Sequence, residues 1–321
     1  MSLFFQLYCG TNTNKYKYKK TKSGEEGQSG RACMVDAYEL IQHRAPRMIL
    51  MSFRYYPGCT LKTKAKDLDI YARRSAEALG VELIEISQWQ CCGAVYPQAQ
   101  DEIATRLSAI RTLDEARREE SDLLTICSAC HHVITRINHD MQANADIRAK
   151  ANNYLALDTP YAGQTRVVHY LEMLRDTVGF GELKNRVTNP LLNRKIGAFY
   201  GCMLLRPSAV LQFDNPENPS VMEGFLDAIG AEPVVFSYRN ECCGGYVAME
   251  EKSLVEELCN RIMDSARQKG AEALITACPL CRYNLNKNAT KHQVPVYYFT
   301  ELLAEALGVK DIYMNPNEHA T

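Results

Sequence analysis

The cysteines of this 321-residue chain are the residues best placed to do chemistry, because ten of the thirteen repeat one spacing twice. Each copy has a single cysteine, then an adjacent pair, then a Cys-x-x-Cys motif. The last four cysteines of the copies are offset by 151 residues and the first by 143. The first thiol set is Cys59, Cys91, Cys92, Cys127 and Cys130, and the second is Cys202, Cys242, Cys243, Cys278 and Cys281. Five thiols per copy exceed the needs of a tetrahedral metal site.

Several chemistries use cysteines at such spacings. A Cys-x-x-Cys motif alone is typical of thioredoxin-like redox pairs, and four of the five thiols would suffice for a structural zinc in either copy. An ordinary four-iron cubane also needs four thiolates, so the fifth is either a spare ligand or a sign of a non-standard cluster. Cys91 and Cys92 must lie in a bend if both bind one group, because adjacent side chains of an extended segment diverge. An iron–sulfur centre accounts best for all five thiols.

Composition favours metal or redox ligation over disulfides. The chain has 37 Lys and Arg against 38 Asp and Glu, a net charge of −1, which argues against a nucleic-acid partner. No apolar run approaches the roughly 20 residues that span a bilayer. The start of the chain lacks a secretory pattern, since Leu3-Phe4-Phe5 is interrupted by Gln6. We therefore expect a cytoplasmic protein, without direct membrane insertion, whose thiols stay reduced.

The elements that must position the thiols also repeat. In each copy a short apolar strand reaches a Gly-Cys turn, a second strand stops at the cysteine pair, and a helix follows at residues 101–120 or 250–269. A third strand then ends on the Cys-x-x-Cys motif, where another helix opens. This alternation predicts an α/β fold with a parallel sheet flanked by helices in each half. Every cysteine group would then lie at the carboxyl end of a strand, where binding sites of such sheets collect.

The predicted organisation is an internal duplication with flanking segments. Residues 1–47 are polar and Gly-rich and predict a flexible extension, to which Cys9 and Cys33 belong. The first domain is predicted at residues 48–190, the second at 191–313, and a tail at 314–321. Residues 167–179 and 296–308 align without a gap and close the two halves alike.

The cysteine spacing resembles the twin CCG domains in the B subunit of heterodisulfide reductase. The phrases that carry the resemblance are Tyr56-Pro57-Gly58-Cys59-Thr60, Cys91-Cys92-Gly93, Cys242-Cys243-Gly244-Gly245 and Cys278-Pro279-Leu280-Cys281. The resemblance covers roughly residues 50–310. It implies a noncubane four-iron, four-sulfur cluster held by all five cysteines of each thiol set. It also implies a disulfide substrate bound between the two clusters.

The implied function is the catalytic subunit of a heterodisulfide reductase-type complex. Cleaving or forming a disulfide takes two electrons, and two clusters facing one pocket would transfer one each. The chain has neither a GxGxxG fingerprint nor a CxxCxxC run, so electrons must come from partners. The resemblance implies a ferredoxin-like C subunit, with a flavin-containing A subunit behind it. The alternatives are a non-catalytic electron-transfer subunit of a larger flavin and iron–sulfur complex, and a protein with zinc in one half.

Further residues have weaker signals. His131 and His132 follow Cys130 directly, and we expect them at a solvated helix start, with hydrogen bonding to sulfur as the alternative. His169 is expected to pack, because its counterpart in the second half is Tyr298. Cys259 lies beside the apolar stripe of its helix and is expected to be a buried structural cysteine. Arg206 is expected to be a surface arginine, with an acidic substrate as its other use.

Overall fold

The structure, a computed structural model, describes residues 51–94, 101–291 and 293–310. The predicted extension at 1–47, with Cys9 and Cys33, and the predicted tail at 314–321 lie outside these residues. The domain boundaries given above remain predictions.

In its described residues, the first half contains four strands with helices between them. The strands are β1 (Met51–Tyr56), β2 (Val81–Glu85), β3 (Leu123–Thr125) and β4 (Val167–His169). The helices are α1 (Cys59–Thr63), α2 (Lys66–Ala78), α3 (Ala104–Arg118), α4 (Ser128–Ala143), α5 (Ala145–Leu155), α6 (Tyr170–Glu172) and α7 (Phe180–Arg186). A π-helical stretch, Met173–Gly179, joins α6 to α7.

The second half repeats this order. Its strands are β5 (Lys195–Phe199), β6 (Glu232–Val234), β7 (Ala273–Thr276) and β8 (Val296–Tyr298). Its helices are α8 (Ser208–Leu211), α9 (Val221–Ala228), α10 (Lys252–Gln268), α11 (Pro279–Asn288) and α12 (Phe299–Ala306).

Each half forms a four-stranded parallel sheet of the same topology. The strand orders are β2-β1-β3-β4 and β6-β5-β7-β8. In the first sheet Tyr56 of β1 pairs with Thr125 of β3, and in the second Phe199 of β5 pairs with Thr276 of β7. The two central strands of each sheet therefore end side by side, immediately before cysteine-bearing turns. This confirms the predicted α/β class with two parallel sheets flanked by helices.

Apolar periodicity explains the main elements, and local hydrogen bonds set their ends. β3 and β7 are buried along their whole length, as expected for central strands covered by helices on both faces. Helix α10 buries Val255, Cys259 and Ile262 at helical spacing. Helix α3 begins three residues later than predicted, because the Asp101 carboxylate accepts hydrogen bonds from the N–H groups of Ile103 and Ala104 at 2.9 Å.

The two halves share a buried interface. Helix α12 of the second half packs on α2 of the first, where the Thr300 hydroxyl donates to the Leu68 carbonyl over 3.2 Å. The Phe299 ring lies 5.7 Å from that of Tyr170 and 6.1 Å from that of Phe225. These aromatic contacts join the two sheets into one apolar core. The relative position of the two thiol sets is consequently fixed by packing.

Candidate metal centre

The first thiol set gathers at the carboxyl edge of its sheet. Cys59 opens α1 just after β1, and Cys127 caps the N-terminus of α4, which carries Cys130 in its first turn. The Sγ atoms of Cys59 and Cys91 lie 3.5 Å apart, and those of Cys92 and Cys130 lie 3.4 Å apart. The thiol of Cys91 also shifts the pKa of Cys92, and that of Cys130 shifts the pKa of Cys127. All five thiols therefore interact with a member of their own set.

The second thiol set has the same arrangement. Cys278 caps the N-terminus of α11, and the Sγ atoms of Cys243 and Cys281 lie 3.4 Å apart. The thiol of Cys242 raises the pKa of Cys202, and the thiols of Cys278 and Cys281 shift each other's pKa. All five thiols line one cavity of about 20 Å³, together with Ser128 of the first half. The repeat seen in the sequence is thus a repeat in three dimensions.

The two sets meet across the interface between the halves. The thiols of Cys127 and Cys278 are close enough to shift each other's pKa. Interacting thiols consequently form a series from Cys59 in one half to Cys243 in the other. The sequence predicted that each set converges, but it contained no signal for this contact between them.

Burial divides each set into an inner and an outer part. Cys91 is exposed, and Cys59, Cys202 and Cys242 are half-buried. The six inner cysteines are buried: Cys92, Cys127, Cys130, Cys243, Cys278 and Cys281. Solvent and small molecules can therefore approach each set only from its outer pair, whereas the sets face each other through inner thiols.

Glycines make room for the buried sulfur atoms. Gly58 has a φ of +78°, and a Cβ there would lie 3.0 Å from the Cys130 Sγ atom. Gly201 has a φ of +65°, and its Cβ would lie 3.3 Å from the Cys281 Sγ atom. Both the backbone conformation and the close approach to sulfur require glycine. Each Cys-x-x-Cys motif is thus held against a glycine cradle at the end of β1 or β5.

The thiol contacts lower the pKa of some cysteines and raise the pKa of others. The hydrogen bond with Cys130 lowers the pKa of Cys92 to about 7, and that with Cys202 lowers the pKa of Cys242 to about 6. The thiols of Cys130 and then Cys278 lower the pKa of Cys127. The thiols of Cys127 and then Cys92 raise the pKa of Cys130. The N–H of Gly244 points at the Cys242 Sγ atom over 3.3 Å. Each set therefore contains thiols that become thiolates, the form that binds metal, near neutral pH.

The donor set fits an iron–sulfur group better than a single hard ion. Five sulfur atoms per half, with neither carboxylate nor imidazole among them, are the soft ligands that suit iron–sulfur clusters. The glycine cradles and the N–H group aimed at sulfur are further features that such a cluster uses.

His131 corrects one expectation. Its side chain is 1% exposed, so it does not lie at a solvated helix start. Its Nδ1 atom lies 2.9 Å from the Thr125 hydroxyl, and its ring lies 5.3 Å from that of His169. Burial, and then the neighbouring His132, lower its pKa to about 3. The expectation was wrong because the counterpart in the second half, Arg282, is a polar residue that forms an ion pair with Glu301. At His131, by contrast, β4 covers the start of the helix.

The remaining residues with sequence signals have structural roles. His169 is buried among rings, and its Nδ1 atom accepts from the N–H of Leu171, which agrees with packing. Cys259 is fully buried and reaches the Cys243 carbonyl over 3.6 Å. Arg206 donates to the Asn240 carbonyl over 2.9 Å and pairs with Glu217, so it fastens a surface loop.

Tyr246 is a site residue that sequence reasoning missed. It follows the second cysteine pair, lines the cavity of the second thiol set and is 51% exposed. Burial raises its pKa to about 12, with further contributions from thiols of both sets, first Cys202 and then Cys92. The counterpart in the first half is Val95, so the repeat gave no indication of a shared tyrosine.

Together, the fold and the site define a duplicated α/β protein with two joined five-thiol centres. The model of the CCG family, a cysteine-rich domain, matches residues 53–135 and 196–286. The chain belongs to this family and contains two copies of the domain.

Three relatives indicate the setting in which such chains occur. The 8-methylmenaquinol:fumarate reductase membrane anchor subunit of Wolinella succinogenes is 34% identical, over 83% of this chain and 96% of the relative. The B subunit of the ferredoxin/F(420)H(2)-dependent CoB-CoM heterodisulfide reductase of Methanosarcina acetivorans is 25% identical, over 79% and 88%. A protein of Archaeoglobus profundus, named as like the B subunit of heterodisulfide reductase, is 25% identical, over 81% and 91%. These relatives are subunits of oxidoreductases or similar to them.

One solved structure has the same fold. A hypothetical protein from Helicobacter pylori superimposes with a TM-score of 0.61 at 12% identity, over 89% of this chain. This chain spans 55% of that protein's length, and the likeness concerns the fold alone. In the part of the present chain that the structure describes, no helix combines the length and apolar character needed to cross a membrane.

Proposed function

We propose that each half of this chain holds a noncubane four-iron, four-sulfur cluster and that the protein is an electron-carrying subunit of a larger oxidoreductase. The observation that carries the proposal is that the two motifs adjoin: Ser128, next to Cys127, donates to the carbonyl of Ala277, next to Cys278, over 2.8 Å, and the two thiols shift each other's pKa. Two redox groups held by these sets would be close neighbours in a buried, water-poor interface. Short separation in a dry interior is what electron transfer between them needs.

The residues divide this task between them. The first thiol set would hold one cluster and the second thiol set the other, and such a cluster supplies one-electron oxidation and reduction when bound. The six inner cysteines keep water away from the interface, while the four outer ones face solvent and a partner. The proposed partners are a ferredoxin-like protein and a flavoprotein of the same complex, because the family resemblance implies both.

One comparison favours electron transfer over disulfide chemistry. The relative with 34% identity is named as part of a fumarate reductase, whereas the heterodisulfide reductase relatives are 25% identical.

Disulfide cleavage or formation is the second candidate. The outer pairs Cys59/Cys91 and Cys202/Cys242 both reach solvent, so a substrate could approach each set. Reduction would consume two electrons and two protons and release two thiols. The relatives named as the B subunit of heterodisulfide reductases support this candidate, in which the chain is the catalytic subunit of such a complex.

Metal content tests the shared part of both candidates. After anaerobic purification we expect about eight irons per chain, four for each cluster. About four irons with one zinc would instead mean that one half holds a structural zinc, and would contradict two clusters.

A single-turnover experiment separates the two candidates. Chemically reduced protein is mixed with coenzyme M–coenzyme B heterodisulfide, and the released thiols are counted. The electron-carrying role predicts no thiol release and rapid oxidation by a one-electron acceptor. Release of two thiols per chain would establish the disulfide reaction instead.

A further inference from the structure

The peptide groups just before the two Cys-x-x-Cys motifs are bound by side chains from opposite halves. The Tyr298 hydroxyl, at the end of β8, donates to the Ile126 carbonyl of the first half over 2.5 Å. The Ser128 hydroxyl and N–H, at the start of α4, donate to the Ala277 carbonyl of the second half over 2.8 Å and 2.9 Å. Each half therefore donates a hydrogen bond to the carbonyl of the residue that precedes the Cys-x-x-Cys motif of the other half.

One assignment of the hydrogen-bond donors satisfies both the Ile126 carbonyl and the Ala277 carbonyl. Tyr298 also lies 3.1 Å from the Ala277 carbonyl, but its phenol has a single proton. Ala277 already accepts two hydrogen bonds from Ser128, so the shorter contact to Ile126 takes the phenol proton. Tyr298 is fully buried and Ser128 is 1% exposed, so water cannot replace either donor. Burial also raises the pKa of Tyr298 far above neutrality, and the phenol remains a donor.

This exchange does not follow from the duplication. The counterpart of Ser128 in the second half is Pro279, which has neither a hydroxyl nor an N–H. The counterpart of Tyr298 is His169. Both donors are thus specific to their own half, although the cysteines around them repeat. Hydrogen bonds that served each half separately would not require the two halves to differ at these positions.

We propose that Ser128 and Tyr298 are positioning residues that hold Cys127 against Cys278. Their hydrogen bonds across the two halves form a joint that sets the strength of electronic contact between the two redox sites. The held carbonyls belong to the residues next to these cysteines, so a shift of either peptide moves a thiol at the interface. The part that concerns electronic contact rests on the proposed function; the part that concerns the joint does not.

The experiment uses Tyr298→Phe and Ser128→Ala, with Tyr170→Phe as the matched control. Tyr170 is also fully buried and donates to a backbone carbonyl, that of Ala72 over 2.9 Å, within one half. Amide hydrogen exchange at Ser128 reports on the joint with or without metal. We expect roughly tenfold faster exchange in Tyr298→Phe, from loss of one buried hydrogen bond, and an unchanged rate in Tyr170→Phe.

The second measurement is spin coupling between the two reduced sites, by electron spin resonance at unchanged iron content. We expect weaker coupling in Tyr298→Phe and Ser128→Ala but not in Tyr170→Phe. Unchanged exchange at Ser128, or faster exchange with unchanged coupling, would overturn the proposal. If the chain binds no cluster, the proposed function fails while the exchange data still decide the joint. If Tyr298→Phe does not fold, Ser128→Ala decides both points.

Discussion

Gly58 lies directly against the thiol of Cys130: a Cβ at Gly58 would stand 3.0 Å from that Sγ atom, and the glycine has a φ of +78° and a ψ of 160°. This backbone region is essentially restricted to glycine. Cys130 in turn contacts Cys92, so Gly58 affects the positions of two thiols of the first set.

Gly58→Ala should therefore destabilise the fold by about 1–3 kcal/mol and lower the iron content towards half. The reason is that the new methyl group both strains the backbone and displaces the Cys130 thiol. Gly181→Ala is the control, since a Cβ at Gly181 meets nothing within 4 Å. Urea unfolding and iron analysis of both variants give the comparison. Full iron content in Gly58→Ala would show that the cradle does not position a ligand.

Cys92→Ser and Cys243→Ser should each remove one cluster and leave the other. Each of these buried cysteines contacts a thiol of its own half at 3.4 Å, Cys130 or Cys281. Iron content should fall to about half in each variant, with one spectroscopic signal kept. Cys259→Ser is the control, because Cys259 is buried nearby but contacts carbonyls and is outside both sets. Loss of all iron from either single variant would indicate one shared cluster.

Tyr246→Ala should expose the second thiol set. The ring lines the cavity formed by these thiols, so we expect alkylation of Cys202 and Cys242 in metal-free protein to become several times faster. Tyr246→Phe keeps the ring and should react like the parent protein. Tyr154→Ala removes a 70% exposed tyrosine of α5 as the control. Peptide mapping gives the rate at each cysteine, and equal rates in all variants would argue against Tyr246 as a cover.

Glu85→Gln should destabilise the protein at neutral pH but not in acid. Hydrogen bonds from Lys62 and Trp89 lower the pKa of Glu85, although burial alone would raise it. A carboxyl with a lowered pKa stabilises the fold above its unfolded pKa, and that contribution is lost as the pH falls through the folded value. The difference should be about 0.5–1 kcal/mol at pH 7 and should vanish once the pH falls below the lowered pKa of Glu85 in the folded protein.

Trp89, the single tryptophan of the chain, reports this change by fluorescence, because its indole N–H donates to Glu85 over 3.1 Å. Glu82→Gln alters an exposed carboxylate of the same strand and should have little effect at any pH. A loss in Glu85→Gln that persists unchanged at low pH would mean that packing, not charge, is responsible.

The arrangement of the thiols within each half was predictable from the sequence alone. Alternation of apolar strands and amphipathic helices requires parallel sheets, and a parallel sheet brings its strand ends to one edge. The convergence of Cys59, Cys92 and Cys130 followed from that rule alone, because each follows a strand or opens a helix. The duplication doubled this signal, so that the fold class and the gathering of each thiol set at one edge of its sheet were predictable from the sequence.

How the two halves meet was not predictable from the sequence, because it depends on tertiary packing. The contact between Cys127 and Cys278, the burial of His131 and the donation from Tyr298 to Ile126 involve residues whose partners lie on other elements. Periodicity records which face of an element is apolar, but not which element covers it. That choice depends on how side chains such as Phe299 and Tyr170 fit together across the interface, a property of shape that spacing along the chain does not contain.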